Sequence, residues 1–478
     1  MKRALRITFL SAVLLTLSAP ESYPVNPLKQ DRCDNVTSLC DGEAAISLRE
    51  EILADKMLST SNHRLYPDPD STTHIASAPQ GYVPFHISTY ARHGSRYLMN
   101  RDNYVNAVMP LAKAEKDGVI TETGRKVKRS LEKILEKADE GRFGELTPVG
   151  VLQHRRIAHR MYENFPEIFE DSVSIDAKST NVLRCVMSMM AECLELQALN
   201  PSLKITHDAS QADMRYLNDI PRADSLQNKY RYLRDREKNN LKGRLNPTRV
   251  FGLLYSSPEW VRSNISNPCE TYYNLFYVAS NMQSHEDADL DIMWIFTPEE
   301  CYDCWLINNV DWYLHSGNSP LTANEMPFQQ EKLLMEFLRD GDSHARSHRK
   351  SASLRFGHES MVLPTVVLLG IDGFDYETDN IESVSDHWAA YRAFPMAANI
   401  QMVFYENPAN PAADVLVRIL LNEKDARLPI ASVAPSFYRW DDFSAYYSNK
   451  LKRNMEASSG SQDKAPGDSN VKDFAASI

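Results

Sequence analysis

A strand-like segment that runs directly into a cationic turn constrains this chain more than any other feature. Apolar and polar residues alternate from Val83 to Thr89, as in a half-buried β-strand. The next eight residues, Tyr90 to Tyr97, read Y-A-R-H-G-S-R-Y. We interpret this octet as a phosphate cradle, because the planar guanidinium groups of Arg92 and Arg96 can each bind two phosphate oxygens. Gly94 would let the backbone turn sharply and direct N–H groups at an anion where a helix begins.

Taken alone, the octet is equally typical of a solvated loop in which His93 is an ordinary polar residue. Further polar segments therefore have to decide between the two interpretations. Residues 146–154 read L-T-P-V-G-V-L-Q-H, residues 179–184 read S-T-N-V-L-R, and residues 356–360 read F-G-H-E-S. Their combination and order are far more specific than any one of them.

Together these segments resemble the signature of the histidine acid phosphatases, over about residues 80–440. Residues 92–97 and 357–364 are most similar to the multiple inositol polyphosphate phosphatase branch. The late motif of that branch usually reads G-H-A-E with a proline soon after, whereas this chain has Gly-His-Glu-Ser at 357–360.

The resemblance implies an α/β fold, with a three-layer core like that of phosphoglycerate mutase, a mainly parallel sheet and a mostly helical inserted subdomain. We expect residues 20–207 and 344–450 to form the discontinuous core and residues 208–343 to form the insertion. Long charged stretches and few alternating runs in the latter segment also favour helices.

The resemblance also implies roles for individual residues. His93 would attack phosphorus and form a phosphohistidine, and Glu359 would protonate the leaving oxygen and then activate water. The phosphoryl group would be held by Arg92, Arg96, Arg184 and His358. No metal and no cofactor is expected.

The altered late motif leaves the position of the acid open. In the register of the G-H-A-E branch the acid's place falls on Ser360, whereas in a His-Asp register it falls on Glu359 with one extra methylene. We favour Glu359 because it is the carboxylic acid just after His358. A structural alternative is that His358 and Glu359 merely begin a helix, since an acid near a helix N-terminus is favourable in any case.

These assignments predict a phosphomonoester hydrolase that removes phosphates from inositol polyphosphates such as phytate. A broad-specificity acid or sugar phosphatase and a non-catalytic inositol phosphate binder are the alternatives. The formal net charge of -11 argues against a nucleic-acid partner. A polyanionic substrate must therefore be attracted locally, by the cradle and by the basic start of a helix at Lys126, Lys128 and Arg129. The sequence does not predict the oligomeric state.

The N-terminus predicts export to the periplasm or the exterior of the cell. Residues 1–19 combine a basic start, a short apolar run and a small-residue end, as in a secretory signal peptide. The run is too short to span a bilayer, and no later apolar stretch reaches that length.

Seven cysteines in an exported chain permit disulfides and leave one thiol over. Cys33 and Cys40 could close a small loop, and we expect the pair Cys301 and Cys304 to be disulfide-bonded rather than to bind zinc. Cys185 is the candidate for the unpaired thiol, buried near the site.

Hydrophobic periodicity predicts the remaining elements. Helices are predicted at 43–58, 122–138, from Thr147 onward and at 361–369, with Pro364 in the first turn; strands at 173–177, 353–356, 399–405 and 415–421; and a disordered tail at 455–478. An apolar stripe of Met187, Met190, Leu194 and Leu196 predicts core packing. His154, His159, His344 and His348 are interpreted as core or surface histidines rather than as metal ligands.

Overall fold

A mixed β-sheet forms the centre of the computed structural model of the protein, in which residues 46–68, 75 and 77–462 are described. Within these residues the sheet has eight strands in the order β3-β2-β4-β1-β5-β6-β7, with β8 paired to β6. The strands are β1 (Val83–Arg92), β2 (Ser174–Ser179), β3 (Lys204–Asp208), β4 (Ser351–Gly357), β5 (Asn399–Glu406), β6 (Leu416–Leu421), β7 (Lys424–Asp425) and β8 (Phe437–Arg439).

Helices pack against both faces of this sheet. They are α1 (Leu48–Ala54), α2 (Arg101–Lys116), α3 (Glu122–Asp139), α4 (Pro148–Asn164), α5 (Pro166–Phe169), α6 (Leu183–Leu199), α7 (Met214–Leu217), α8 (Ile220–Lys242), α9 (Thr248–Leu254), α10 (Pro258–Asn264), α11 (Pro268–Met282), α12 (Pro298–Ser316), α13 (Glu331–Ser347), α14 (Glu359–Leu369), α15 (Val384–His387) and α16 (Trp440–Gln462). Short 3-10 helices cover Lys56–His63, Ala288–Leu290, Met293–Ile295, Pro320–Thr322, Met326–Gln330, Ile371–Gly373, Ile381–Ser383 and Ala390–Arg392.

The parallel half of the sheet places three chain segments side by side. Strands β3, β2, β4 and β1 run parallel, whereas β5 to β8 pair antiparallel. Ser179 on β2 and Ala91 on β1 both lie level with Phe356 on β4. The segments that follow these three strands therefore emerge together at one edge.

Strand β1 is buried on both faces rather than on one. Ile87 and Ala91 pack into the core beside α4, α5 and α6, and Tyr90 packs into the core on the other side, which includes residues of α13 and α14. The predicted half-buried strand is wrong, because the parallel strands of a layered α/β fold are covered by helices above and below. The three-layer α/β class is confirmed.

Most predicted elements are confirmed, with α3 and α4 beginning at the expected residues and the predicted strands present as β2, β4, β5 and β6. Thr147 caps α4 by accepting from the N–H of Gly150, and proline follows at the first helical position.

Three predicted stretches differ. The helix expected at 43–58 ends at Ala54, because Asp55 adopts an extended backbone and caps the following 3-10 helix. Helix α14 already begins at Glu359, so Pro364 lies beyond the first turn. Met187 and Leu194 are 46% and 61% exposed, so the predicted stripe is only partly core.

The C-terminal prediction is also only partly tested. Helix α16 continues to Gln462, which overturns disorder for residues 455–462. The rest of the predicted tail lies outside the described residues. The same holds for the signal peptide at 1–19 and for Cys33 and Cys40.

Cys301 and Cys304 are not disulfide-bonded, contrary to expectation. Both thiols lie on α12 and are fully buried in the apolar core, where free cysteine packs as a small hydrophobic residue. Burial raises the pKa of Cys301 to about 11, so the thiol stays protonated.

The division into a core and an insertion stays a prediction. Helices α7 to α12 lie within residues 208–343, but β3 ends at Asp208 and α13 crosses the boundary at 343. Among the described residues, no helix combines the length and the apolar character needed to cross a membrane.

Candidate active site

Three segments that follow parallel strands bring the predicted site residues together. His93 follows β1, Arg184 lies on the first turn of α6 after β2, and His358 follows β4. The rings of His93 and His358 lie 5.7 Å apart and nearly perpendicular. The site thus forms where the carboxyl ends of parallel strands meet, as the sequence predicts.

His93 presents one ring nitrogen to the site. Its backbone N–H donates to the carbonyl of Gly357 at 2.9 Å, and its Nδ1 lies 2.9 Å from the carbonyl of Gly94. Because a carbonyl only accepts, Nδ1 carries the proton and Nε2 of the neutral ring keeps its lone pair. Burial above all, with the charges of Arg92 and Arg184, outweighs the effect of Glu359 and lowers the pKa of His93 well below its usual value.

Arg92 is held in place by two backbone carbonyls. Its NH1 group donates to the carbonyls of Asn62 and Phe394 at 2.7 and 2.8 Å. Burial, together with neighbouring guanidinium groups, lowers the pKa of Arg92 to about 10, so the side chain remains a cation. Its NH2 group is buried without a hydrogen-bond partner in the described part of the chain, as are Nε of Arg96 and Nε of Arg184.

His358 lies between Arg184 and the strands. Its Nδ1 is 3.4 Å from NH2 of Arg184, and its Nε2 is 3.4 Å from the hydroxyl of Thr180. Burial and the charge of Arg184 lower the pKa of His358 to about 4, so the ring is neutral. The free thiol of Cys185 contacts this ring, so it is buried beside the site as predicted, but it is not the one unpaired thiol, because Cys193, Cys269, Cys301 and Cys304 are free as well.

Glu359 reaches into the cationic cluster. Its Oε2 lies 3.2 Å from Nε of Arg92 and 3.5 Å from Nε2 of His93, and its Oε1 lies 4.0 Å from NH2 of Arg96. Burial opposes ionisation, but the charge of Arg92 and the other nearby cations outweigh it and lower the pKa of Glu359 well below its usual value. The carboxylate is therefore ionised and occupies the arginine cluster itself.

The cradle is built from side chains rather than from backbone N–H groups, which corrects the sequence interpretation. The N–H of Gly94 donates to the hydroxyl of Ser188, and that of Ser95 donates to Gln153. Gly94 lies outside the left-handed region that favours glycine. It is required by close packing, because a Cβ there would lie 2.4 Å from the carbonyl oxygen of Gly150.

The sequence analysis did not identify the residues that hold this cluster in place. His154 and Glu192 are both buried, and Nδ1 of His154 lies 2.9 Å from Oε1 of Glu192. Nε2 of His154 lies 3.1 Å from the carbonyl oxygen of Arg92. Tyr90 accepts the backbone N–H of His358 at 3.1 Å. These contacts join residues that are far apart in the sequence. The one sequence feature that points to them is that His154 belongs to the 146–154 motif.

Lys128 and Arg129, which the sequence analysis proposed as a basic extension of the cradle, form ion pairs with carboxylates of α2 and α3. Lys128 lies 3.1 Å from Glu115 and 2.7 Å from Glu132, and Arg129 lies 3.7 Å from Glu122. Their charges are shared with carboxylates of α2 and α3. The structure thus gives no support to their facing the site.

His93, His358 and Glu359 could also in principle hold a metal ion, since one ligand atom of each lies within 4.8 Å of the others. The buried guanidinium groups of Arg92 and Arg96 beside Glu359 oppose a cation there. The same guanidinium groups favour an anion. The oxygens of a phosphoryl group could accept hydrogen bonds from those N–H groups that have no acceptor among the described residues.

Comparison with known proteins places this site in a family. The sequence profile of the histidine phosphatase superfamily, branch 2, matches residues 87–422. The chain belongs to this superfamily. No curated protein matches the sequence of this histidine phosphatase.

Solved structures share its fold. The multiple inositol polyphosphate phosphatase of Bifidobacterium longum is 18% identical, with a TM-score of 0.68, over 80% of this chain and 96% of that one. The same enzyme in complex with inositol hexasulfate has a TM-score of 0.66 at 17% identity, over 80% of this chain and 96% of that one. The phytase of D. castellii has a TM-score of 0.59 at 15% identity, over 83% of this chain and 85% of that one.

Proposed function

We propose that this histidine phosphatase removes phosphates from inositol polyphosphates, such as phytate, through a phosphohistidine intermediate. The observation that carries the proposal is the unprotonated Nε2 of His93, which lies 3.5 Å from the Glu359 carboxylate oxygen that also contacts the buried guanidinium of Arg92. A nucleophile with a free lone pair beside preorganised guanidinium groups suits phosphoryl transfer.

The first step transfers the phosphoryl group to the protein. Nε2 of His93 attacks phosphorus while the bond to the ester oxygen breaks, and Glu359 gives its proton to the departing alkoxide. Arg92, Arg96, Arg184 and His358 bind the phosphoryl oxygens. In the second step Glu359 takes a proton from water, which attacks phosphorus and releases inorganic phosphate and the free imidazole. The covalent intermediate replaces one high barrier by two lower ones, and each of the two must lie on the order of 20 kcal/mol below that of the uncatalysed hydrolysis.

The protonation state of Glu359 must change when substrate binds. In the ligand-free site the carboxylate is ionised, because cations surround it. A phosphoryl dianion bound to the same guanidinium groups would neutralise them and raise the pKa of Glu359. The carboxyl group then gains the proton that it delivers to the leaving group.

The substrate class is supported by a structural relative. The B. longum enzyme with the shared fold is named a multiple inositol polyphosphate phosphatase and was solved with inositol hexasulfate. Phytate is therefore the first substrate to test, and turnover of glucose 1-phosphate under the same conditions separates this proposal from a general sugar phosphatase.

The decisive experiment follows phosphate release from phytate with excess chelator present. We expect turnover by the wild-type protein and a loss of about 1,000-fold or more in His93→Ala, because the nucleophile is removed. His159→Ala on the half-exposed face of α4 is the matched control. Rapid quenching should trap an acid-labile phosphoenzyme in the wild type. Full activity of His93→Ala would show that His93 is not the nucleophile.

A non-catalytic inositol phosphate binder is the second candidate. The observation in its favour is that Glu359 is ionised and paired with Arg92, so no acid is ready in the ligand-free site. Binding of phytate without phosphate release at any pH would establish this alternative.

We also propose that the protein is exported, on the strength of residues 1–19. N-terminal sequencing of the mature protein from the periplasm or culture medium tests this, and recovery of the intact N-terminus only from cytosol would contradict it.

A further inference from the structure

Two cations on helix α8 share a single carboxylate of helix α12. Arg234 and Lys238 lie one helical turn apart, and both pair with Asp311. NH2 of Arg234 lies 2.8 Å from Oδ1 of Asp311, and Nζ of Lys238 lies 3.0 Å from Oδ2. Burial opposes the ionisation of Asp311, but the charges of Arg234 and Lys238 outweigh it and lower its pKa. The three side chains, which we call the α8 cluster, therefore have a net positive charge.

Both cations keep hydrogen-bond donors that no residue in the described part of the chain uses. Nε and NH2 of Arg234 donate to Asp311 and NH1 donates to Gln227, whereas Lys238 donates once, to Asp311. Arginine has five N–H donors and lysine has three, so two on each side chain are left for a ligand. The side chains of Arg234 and Lys238 are 20% and 33% exposed, so an anion can reach them from solvent.

The α8 cluster lies close to the active-site arginines. Trp312 follows Asp311 on α12, and its ring packs against that of Phe394 with the centroids 4.9 Å apart. The carbonyl of Phe394 in turn accepts from NH1 of Arg92 at 2.8 Å. One layer of side chains thus connects the α8 cluster to the cradle.

Tyr277 and His315 respond to the charges of both sites. Burial raises the pKa of Tyr277, while the charges of the cradle arginines and of Lys238 act to lower it. Burial lowers the pKa of His315 to about 3, with Arg234 adding to this effect and Glu359 opposing it. Both side chains are partly exposed. The α8 cluster and the cradle are thus within electrostatic range of the same partly exposed side chains, as is expected of two parts of one binding cleft.

We propose, building on the proposed function, that Arg234 and Lys238 bind a second phosphate group of the inositol polyphosphate, one that is not transferred. Guanidinium and ammonium groups with unused N–H donors suit phosphate oxygens. A chain with a formal net charge of -11 needs such a local attraction, and Lys128 and Arg129 pair with carboxylates elsewhere. A phosphate held at the α8 cluster fixes the orientation of the inositol ring, so the cluster selects which other phosphate meets His93.

The sign of the effect at Asp311 distinguishes an anion site from a structural ion-pair cluster. In an anion site the carboxylate repels the bound phosphate, so Asp311→Asn should tighten binding. In a cluster whose role is only structural, Asp311→Asn and Lys238→Gln would both leave a partly buried charge without its partner, and neither would bind substrate more tightly.

The test compares a polyanion with a single anion on the full chain. Calorimetry with inositol hexasulfate should show binding about tenfold weaker in Lys238→Gln, because a charge-assisted hydrogen bond is lost, and about tenfold tighter in Asp311→Asn. The affinity for inorganic phosphate, which the cradle binds alone, should stay nearly unchanged in both. In Lys238→Gln the KM for phytate should rise with little change in kcat, while the KM for glucose 1-phosphate should not rise.

The matched control is Lys229→Gln on the same helix, whose ammonium pairs with Glu325 at 2.7 Å. It makes the same change in net charge as Lys238→Gln and should bind hexasulfate as the wild type does. Unchanged hexasulfate affinity in Lys238→Gln, or weaker affinity in a folded Asp311→Asn protein, would overturn the second phosphate site while phytate turnover by the wild type still supports the proposed function. A wild type that neither binds hexasulfate nor releases phosphate from phytate would overturn both. If Asp311→Asn fails to fold, the comparison of Lys238→Gln with Lys229→Gln decides.

Discussion

Replacing Glu359 by glutamine should make the protein bind inorganic phosphate more tightly while it stops turning over substrate. The carboxylate lies 3.2 Å from Nε of Arg92 and 4.0 Å from NH2 of Arg96. It thus occupies the groups that a phosphoryl dianion needs, and every bound phosphate must displace it, cause it to take up a proton, or lie beside its negative charge.

The size of the effect follows from this geometry. Two unit charges 4 Å apart interact by about 4 kcal/mol at an effective dielectric constant near 20, which sets a ceiling of roughly 1,000-fold. Because glutamine still fills space and can donate to phosphate, we expect phosphate affinity to rise by at least about tenfold. Turnover of phytate should fall by about 100- to 10,000-fold, since the proposed general acid is lost.

Calorimetry with inorganic phosphate measures the affinity, and phosphate release from phytate measures the turnover. Glu359→Asp separates the effect of the charge from that of the carboxylate's position among the arginines. It keeps the negative charge but moves it away from the arginines by one methylene. We expect its phosphate affinity to lie between those of the wild type and Glu359→Gln. Glu163→Gln, which removes an exposed carboxylate from α4, makes the same change in net charge and should leave affinity unchanged.

Proton uptake on phosphate binding tests the same change in Glu359 independently. Phosphate binding to the wild type should take up a proton, because the pKa of Glu359 is low in the free protein and rises when the arginines are neutralised. Calorimetry in buffers of different ionisation enthalpy measures this uptake, which Glu359→Gln should reduce. Equal or weaker phosphate binding by a folded Glu359→Gln protein would refute the displacement of the carboxylate.

Two further substitutions test how the site is supported. Tyr90→Phe removes the buried hydroxyl that accepts from the N–H of His358, so the free energy of unfolding should fall by about 1–3 kcal/mol in chemical denaturation; an unchanged stability would contradict the bond. Gly94→Ala places a Cβ 2.4 Å from the carbonyl oxygen of Gly150, so stability should fall by about 1–3 kcal/mol and turnover should drop with it. Gly252→Ala, whose Cβ meets nothing within 4 Å, is the control and should lower neither, since alanine favours helix α9 over glycine.

The sequence predicts the meeting of His93, Arg184 and His358 for a simple reason. Each lies a few residues after an apolar segment that reads as a strand, and carboxyl ends of parallel strands share one edge. The three residues meet because β2, β4 and β1 are neighbours and all point the same way, an order that the sequence does not show.

The supporting contacts could not be predicted, because they have no local pattern. Arg92 is fixed by the carbonyls of Asn62 and Phe394, which are 30 residues before it and 302 after it in the chain. A backbone carbonyl carries no side-chain signal at all. The fully buried polar pair of His154 and Glu192 likewise depends on how α4 packs against α6, which only the assembled sheet determines.

The same limit explains why the two interpretations of Glu359 could not be separated by sequence. As the first residue of α14 it lies where a helix N-terminus favours an acid, and it also lies beside Arg92. Both features stabilise the carboxylate, yet a general acid has to be protonated. A structural role and a catalytic role therefore predict the same ionised side chain in the free protein. They differ only when an anion neutralises the arginines, which is why phosphate binding, rather than the ligand-free structure, distinguishes them.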